Sequence, residues 1–418
     1  MFCATMLAMA AENPIPLQDL DEIYGFLTTR FYDDPYTFYH ILQDTDPVHW
    51  SGKTNSWLVT RYDDVANGLR DAAFSAMRGS SHLEAFPDEV KGELTPLSSF
   101  YGMWLMYMEE PDHGRVRRLV NRPFSPETVE QHVTSIQSKA TVILDRISTG
   151  GEVDILSQYA TPLAINTMGN LLGLPVTDHY LVNKWSRDLV GFLGAKGDVE
   201  KGLAAQRTLV ELTNYLNPIV SQTPDKIESN LLATLVTAEQ SGQISKPELL
   251  AVVANVLIDG HEPIANTIAN GTLAMLENPD QLNLLKQKPG LMPSAVEEII
   301  RYNPAFQYAA RTAIQDVEMG GKQIKQGQRV QFMLGAANHD PRQFLNPDTL
   351  DIQRSPNQHG SFGFGIHYCV AARIARRTID IAMTSLLYKF PNLQLSEDKP
   401  HWIQSLGYRG LTSLKVKI

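Results

Sequence analysis

The residues with the greatest chemical potential lie in the run Phe362-Gly363-Phe364-Gly365-Ile366-His367-Tyr368-Cys369-Val370-Ala371. Two glycines at this spacing permit tight, left-handed backbone that can come close to a flat ligand. The next residues, Ala372-Arg373-Ile374-Ala375-Arg376-Arg377, read as helix, so Cys369 falls at a helix N-terminus, where the backbone dipole favours a thiolate. A lone cysteine after a glycine turn would ordinarily be a small buried hydrophobe. Three other groupings change that reading. Glu298 and Arg301 stand at i and i+3, by themselves a surface ion pair of little worth. His113 and Arg117 share one face near a helix start after Glu110-Pro111-Asp112, by themselves a solvated face. The sequence Asp259-Gly260-His261-Glu262-Pro263 sets two carboxylates and an imidazole inside a long apolar stretch that then meets a proline.

In this order the four motifs resemble the cytochrome P-450 family, whose signature Phe-Gly-x-Gly-x-His-x-Cys-x-Gly is matched except at Ala371, where glycine is usual. The likeness runs from Asp34-Pro35-Tyr36 to Arg409-Gly410-Leu411. It is strongest to the soluble bacterial class that includes macrolide hydroxylases and the biotin-pathway enzyme, through Leu334-Gly335-Ala336-Ala337-Asn338 and Arg354-Ser355-Pro356-Asn357. The resemblance implies a mainly α fold with small β-sheets and haem b held between a long central helix and the cysteine-ligand loop. Cys369 becomes the axial ligand of the iron, a thiolate whose electron density assists O–O cleavage. Phe362 and Gly365 belong to the same cofactor loop. His113, Arg117, Arg311 and His367 are the expected partners of the haem propionates, arginine suiting carboxylates through its fixed fork of donors. Glu298 and Arg301 brace the haem side of the fold with Asn338-His339-Asp340-Pro341 and Arg354.

The chain departs from the family at its long helix. There an acid and a threonine usually deliver protons; here Glu262 supplies the acid and Pro263 replaces the alcohol. A mid-helix proline costs about 3 kcal/mol and releases the carbonyl four residues back, that of Asp259. A kink at the oxygen site is expected, and Thr267 is one turn too far to substitute. Three routes stay open: Glu262 working through ordered water, a substrate that supplies its own hydroxyl or carboxyl, or use of peroxide. Peroxide-using relatives carry arginine before this proline to hold a fatty-acid carboxylate. Glu262 would repel one, which disfavours that route for acid substrates. Asp259, Glu262 and Pro263 are the expected catalytic positions.

By family position, Leu105, Leu257, Gly260, His261, Phe306, Tyr308 and Leu406 line the substrate pocket, with Gln307 and Gln404 as further polar choices. A mid-sized hydrophobic secondary metabolite with a few polar groups fits such a lining. The expected reaction inserts one atom of O2 into a C–H or C=C bond. Oxidative coupling, desaturation or ring closure is the alternative, on a free substrate or on one carried by an acyl or peptidyl carrier protein. A non-catalytic haem protein that only binds ligands is a further one. No flavin or NAD(P) motif is present, so electrons are expected from a ferredoxin or flavodoxin with its reductase. Arg115, Arg117, Arg118, Arg122, Arg373, Arg376 and Arg377 offer it a basic docking surface.

The elements that must position these groups are mostly helical. Apolar residues recur at helical spacing from Lys246 to Leu276, long enough to cross a whole domain. Pro47 to Asp64 reads as a β-hairpin leading into a helix capped near Asp63. Later strands are expected at Phe306 to Thr312, Val317 to Met319, Arg329 to Leu334 and Leu414 to Ile418. Residues 75–108, rich in Gly, Ser and Pro, read as a long irregular loop. No linker divides the chain of 418 residues, so residues 21–418 are expected to form one domain after a frayed 1–20. That start is apolar but too short for a bilayer and lacks a signal peptide's basic segment. Hydrophobic residues at 43% and charged residues at 20% are ordinary globular proportions. A net charge of −10 argues against nucleic acid as a partner. Two cysteines, Cys3 and Cys369, make no disulfide framework and suit a reducing cytoplasm. A monomer without membrane attachment is expected.

Overall fold

Lys246–Glu277 form one unbroken helix of 32 residues, the axis on which the rest is arranged. Ser245 starts it with a capping box: its hydroxyl accepts from the Glu248 N–H while Glu248 reaches back to the Ser245 N–H. Twenty-one of its residues are buried, so this helix is apolar nearly all round, as a central helix must be. The helices Thr161–Leu171, Met292–Tyr302 and Ala372–Lys389 pack against it. A side chain at Gly271 would meet Ile299, which explains the close approach of Met292–Tyr302. The computed structural model describes residues 20–77, 83–147, 151–195, 197–396 and 400–418. Cys3 and the expected frayed start therefore lie outside the described residues, apart from Leu20, which opens a short helix, Leu20–Ile23.

Beside the helices lies a sheet of five short strands, in the order Val48–Ser51, Ser56–Val59, Arg329–Phe332, Ala309–Ala313 and Phe74–Ser75. All pairings are antiparallel except that of Ser56–Val59 with Arg329–Phe332. The expected hairpin is present, and the helix after it, Tyr62–Gly68, begins one residue before Asp63. Two further small sheets join Glu152–Asp154, Lys415–Lys417 and Gln394–Leu395, and Val317–Met319 with Lys322–Ile324. The expected strand at 306–312 starts later, because 305–307 pair with the turn at 407–409: the Gln307 N–H donates to Gly407 O and the Arg409 N–H to Ala305 O.

The segment read as an irregular loop contains a helix of 15 residues, Asp88–Gly102. Its glycine and proline content misled, since Leu94, Leu97, Phe100 and Tyr101 form a buried helical stripe that outweighs Pro96 within the helix. Among the described residues, no helix is long and apolar enough to cross a membrane.

Candidate active site

The cysteine loop is built around its glycines. Gly363 and Gly365 both have φ of +71°, and a Cβ at Gly365 would lie 2.7 Å from the Leu69 carbonyl oxygen. The Cys369 N–H donates to Phe362 O at 2.9 Å, closing the loop on itself. Arg376 lies over the Phe362 ring at 4.3 Å and binds both oxygens of Glu297. Helix Ala372–Lys389 begins three residues after Cys369, at the residue where the sequence predicts it. Burial pushes the Cys369 thiol up, against the Ala371 N–H and the charges of Arg117 and Arg376, which favour the thiolate; the carboxylate of Asp259 adds to the rise.

Behind this loop the Glu298–Arg301 pair is no surface bridge: both residues are fully buried. Arg301 grips both carboxylate oxygens at 2.8 Å and donates to the carbonyls of Asn338 and Pro347. Arg354 Nε and the Asp351 N–H add donors to the same carboxylate. Asn338 then passes the connection on, accepting from the Gly360 N–H and donating to Ser361 Oγ, where the cysteine loop starts.

His113 and His367 face each other with ring centroids 4.6 Å apart, and none of their ring nitrogens has a hydrogen-bond partner although all are buried. The nearest carboxylate, that of Glu110, is 3.6 Å from His113 Nδ1, beyond a normal bond. Burial, then Arg311, His113 and Arg117, hold His367 down to about 3. Arg311 is buried with one nitrogen donating to Ala310 O, and Arg117 donates to Tyr368 O, the residue next to Cys369. Cationic and donor groups crowded together with buried nitrogens unmatched fit a ligand that brings carboxylates.

On the other side, the long helix carries the acids. Asp259 Oδ2 accepts from Asn255 Nδ2 at 2.8 Å, an i, i+4 contact on one helix face. Burial, then the charge of Glu262, push Asp259 up to about 7, while Asn255 opposes the rise; burial also raises Glu262. Around them stand tyrosines: burial, and then these two carboxylates, hold Tyr408 well above its ordinary value, and Asp259 acts on Tyr101 in the same direction. The helix continues through Pro263 without interruption. The Thr267 hydroxyl is committed to Pro263 O at 2.7 Å, so it offers no substitute alcohol.

Several expected pocket residues are engaged in packing or in hydrogen bonds within the protein. A Cβ at Gly260 would lie 2.7 Å from Met168 Sδ, so this glycine serves helix packing. His261 is buried, with Nδ1 on Leu257 O at 2.9 Å, turned back on its own helix. Gln307 is tied to Pro304 O and Tyr39, and Gln404 is exposed. Leu105 and Leu257 are buried in the main core. Phe306 packs on Tyr408 at 4.8 Å between ring centroids, with Tyr308 beside Gly407 and Leu406 half-buried in the same turn. Tyr408 was not foreseen, and only the pairing of 305–307 with 407–409 brings it here. Asn255 was readable from its spacing to Asp259.

Comparison with known proteins agrees with this geometry. Residues 203–417 match the family described as Cytochrome P450. The Biotin biosynthesis cytochrome P450 of Bacillus subtilis (strain 168) is 30% identical, over 93% of this chain and 97% of the relative. The Polyketide biosynthesis cytochrome P450 PksS of the same organism is 32% identical, again over 93% and 97%. The crystal structure of P450BioI in complex with hexadec-9Z-enoic acid ligated Acyl Carrier Protein superposes with a TM-score of 0.86, at 29% identity over 94% of this chain and 100% of that one. The chain belongs to the cytochrome P450 family. It is a cytochrome P450 monooxygenase, and its cofactor is haem b, held in this family by a cysteine thiolate.

Proposed function

We propose that this monooxygenase inserts one oxygen atom from O2 into a C–H or C=C bond of a mid-sized hydrophobic secondary metabolite, using the protons of Asp259 and Glu262. The observation that carries the reading is this acid pair, half-buried among tyrosines with proline in place of an alcohol at position 263. Cys369 is the iron ligand, and His113, Arg117, Arg311 and His367 hold the propionates. When bound, the haem supplies the activation of O2 and the oxidising power. Glu298 and Arg301 keep the cysteine loop at a fixed distance from the long helix. Asp259, near 7, is partly protonated at neutral pH and can both give and regain a proton. Asn255 orients its carboxyl. Pro263 has no N–H for the Asp259 carbonyl, which leaves that oxygen open to a water or a substrate hydroxyl. Leu406, Phe306, Tyr308 and Tyr408 give the substrate an aromatic and aliphatic wall.

Electrons come from a separate acidic ferredoxin or flavodoxin. Of the seven arginines expected to receive it, Arg115, Arg376 and Arg377 are paired with carboxylates and Arg117 is tied to Asn121 and Tyr368. Arg118, Arg122 and Arg373 are exposed and form no ion pair among the described residues, which makes them the docking charges.

The test begins with the reduced carbon monoxide complex, whose strongly red-shifted Soret band must vanish in Cys369→Ala. Metabolites that shift the haem spectrum are then turned over under 18O2. One labelled oxygen in the product supports the reading; a product lighter by two hydrogens, without label, overturns oxygen insertion in favour of coupling or desaturation.

A further inference from the structure

His40, His339 and Asp348 come together from distant parts of the chain, on helix Pro35–Thr45 and on the segment that follows the sheet. His40 Nε2 lies 2.9 Å from both oxygens of Asp348, and His339 Nδ1 lies 2.8 Å from Oδ1. The three ligand atoms are all within 4.8 Å of one another.

The proton positions on these rings follow from what lies on their other sides. His339 Nε2 faces the Tyr302 carbonyl oxygen at 2.9 Å, and a carbonyl can only accept, so Nε2 carries the proton. His40 Nδ1 faces Gln43 Oε1 at 3.2 Å. Gln43 cannot be turned to reverse this, because its amide nitrogen donates to Thr60 O and Ala336 O. His40 Nδ1 therefore carries the proton too. In the neutral tautomers so defined, both nitrogens aimed at Asp348 are lone pairs. Two lone pairs and a carboxylate then converge, acceptor against acceptor, which is stable only with positive charge between them. Either each ring takes a second proton, or one cation satisfies all three groups.

We propose that His40, His339 and Asp348 bind one divalent cation of the zinc class. Two imidazoles and a carboxylate are ordinary ligands for it, and each histidine already donates its second N–H to a carbonyl, as metal-bound histidines do. Tetrahedral bonds of about 2.0 Å set ligand atoms roughly 3.3 Å apart, so binding would widen the His–Asp348 separations of 2.9 and 2.8 Å within a set that already lies inside 4.8 Å. The site is held in advance: Tyr36 stacks on His339 at 3.8 Å between centroids, and Arg301 donates to the carbonyl of Pro347, next to Asp348. His339 is buried while the Asp348 side chain is 59% exposed, so the cation enters from the Asp348 side and water completes its shell. Bound there, it ties helix Pro35–Thr45 to the segment that Arg301 anchors.

The test uses the haem-loaded protein after treatment with chelator. Titration with Co2+ should give one site per chain with the intense visible absorption of a four-coordinate ion, displaced by Zn2+, and Zn2+ should raise Tm. His40→Gln and Asp348→Asn, chosen because both positions reach solvent, should each weaken Co2+ binding tenfold or more and abolish the Zn2+ effect on Tm. His401→Gln, at an exposed histidine elsewhere, should change neither. Absence of the Co2+ band in the parent, or equal binding in His40→Gln and Asp348→Asn, would overturn the site and leave a proton-bridged cluster in its place.

Discussion

The two sides of the cofactor space treat charge in opposite ways. Behind the cysteine loop, the Glu298 carboxylate is enclosed by donors from Arg301, Arg354, Asn357 and Asp351. On the long helix, Asp259 receives one hydrogen bond, from Asn255, and Glu262 receives none among the described residues. Matched charges in a low-dielectric interior hold geometry; unmatched ones hold protons loosely enough to move them. On the function proposed above, the first side serves rigidity and the second chemistry.

The largest effect should come from breaking the matched side. Glu298→Ala leaves two guanidinium groups without their carboxylate and should cost about 3–5 kcal/mol, read by denaturant unfolding together with loss of haem. The same experiment on the distal side should give the reverse. Glu262→Gln and Asp259→Asn remove raised, unpaired carboxyl groups, so stability should hold or rise. Product formed per NADPH should nevertheless fall about 10²-fold in Glu262→Gln. If Glu262→Gln destabilises as much as Glu298→Ala, the contrast between the two sides is gone. Because Asp259 sits near 7, coupling in the parent should decline as pH rises through that value, and Asp259→Asn should flatten the profile. Pro263→Thr refines this further. If the substrate supplies the missing hydroxyl, the variant improves coupling only with a deoxy analogue.

A second matched cluster extends the comparison to the N-terminal side. His49 is buried between Asp21 and Asp46; burial lowers its affinity for a proton, but hydrogen bonds to the two carboxylates win and raise it to about 8. A raised histidine contributes its full stability below the unfolded value of about 6.5 and loses it as pH rises through the folded one. Its contribution should be about 2 kcal/mol. Unfolding free energy should therefore drop between pH 6.5 and 9 in the parent, and His49→Gln should lack that component.

The smallest effect belongs to the surface. Arg118→Glu combined with Arg373→Glu should slow reduction by an acidic ferredoxin several-fold at low salt, with the difference fading as salt rises, and leave substrate spectra unchanged. A rate indifferent to both charge and salt would remove this docking surface.

The sequence alone determined the family, the long helix and the cysteine loop. Local spacing carries that information: glycines that permit left-handed backbone, a 3.6-residue apolar period, and an acid and a base one turn apart. It also exposed the departure at Pro263, since a missing hydroxyl is visible in one dimension. Tertiary structure decided which polar groups are committed. Whether His261 faces a substrate or its own helix, whether Arg376 greets a partner or Glu297, and whether Glu298 lies on the surface or in the core depend on long-range packing. The helix Asp88–Gly102 went unread because its buried stripe gains its energy from distant helices, whereas Pro96 and the glycines act locally. The convergence of His40 on His339 and Asp348 has no signature in the sequence. Residues so far apart along the chain meet only when helix Pro35–Thr45 packs against the segment anchored by Arg301, and oxygens that can only accept a hydrogen bond then decide where their protons lie.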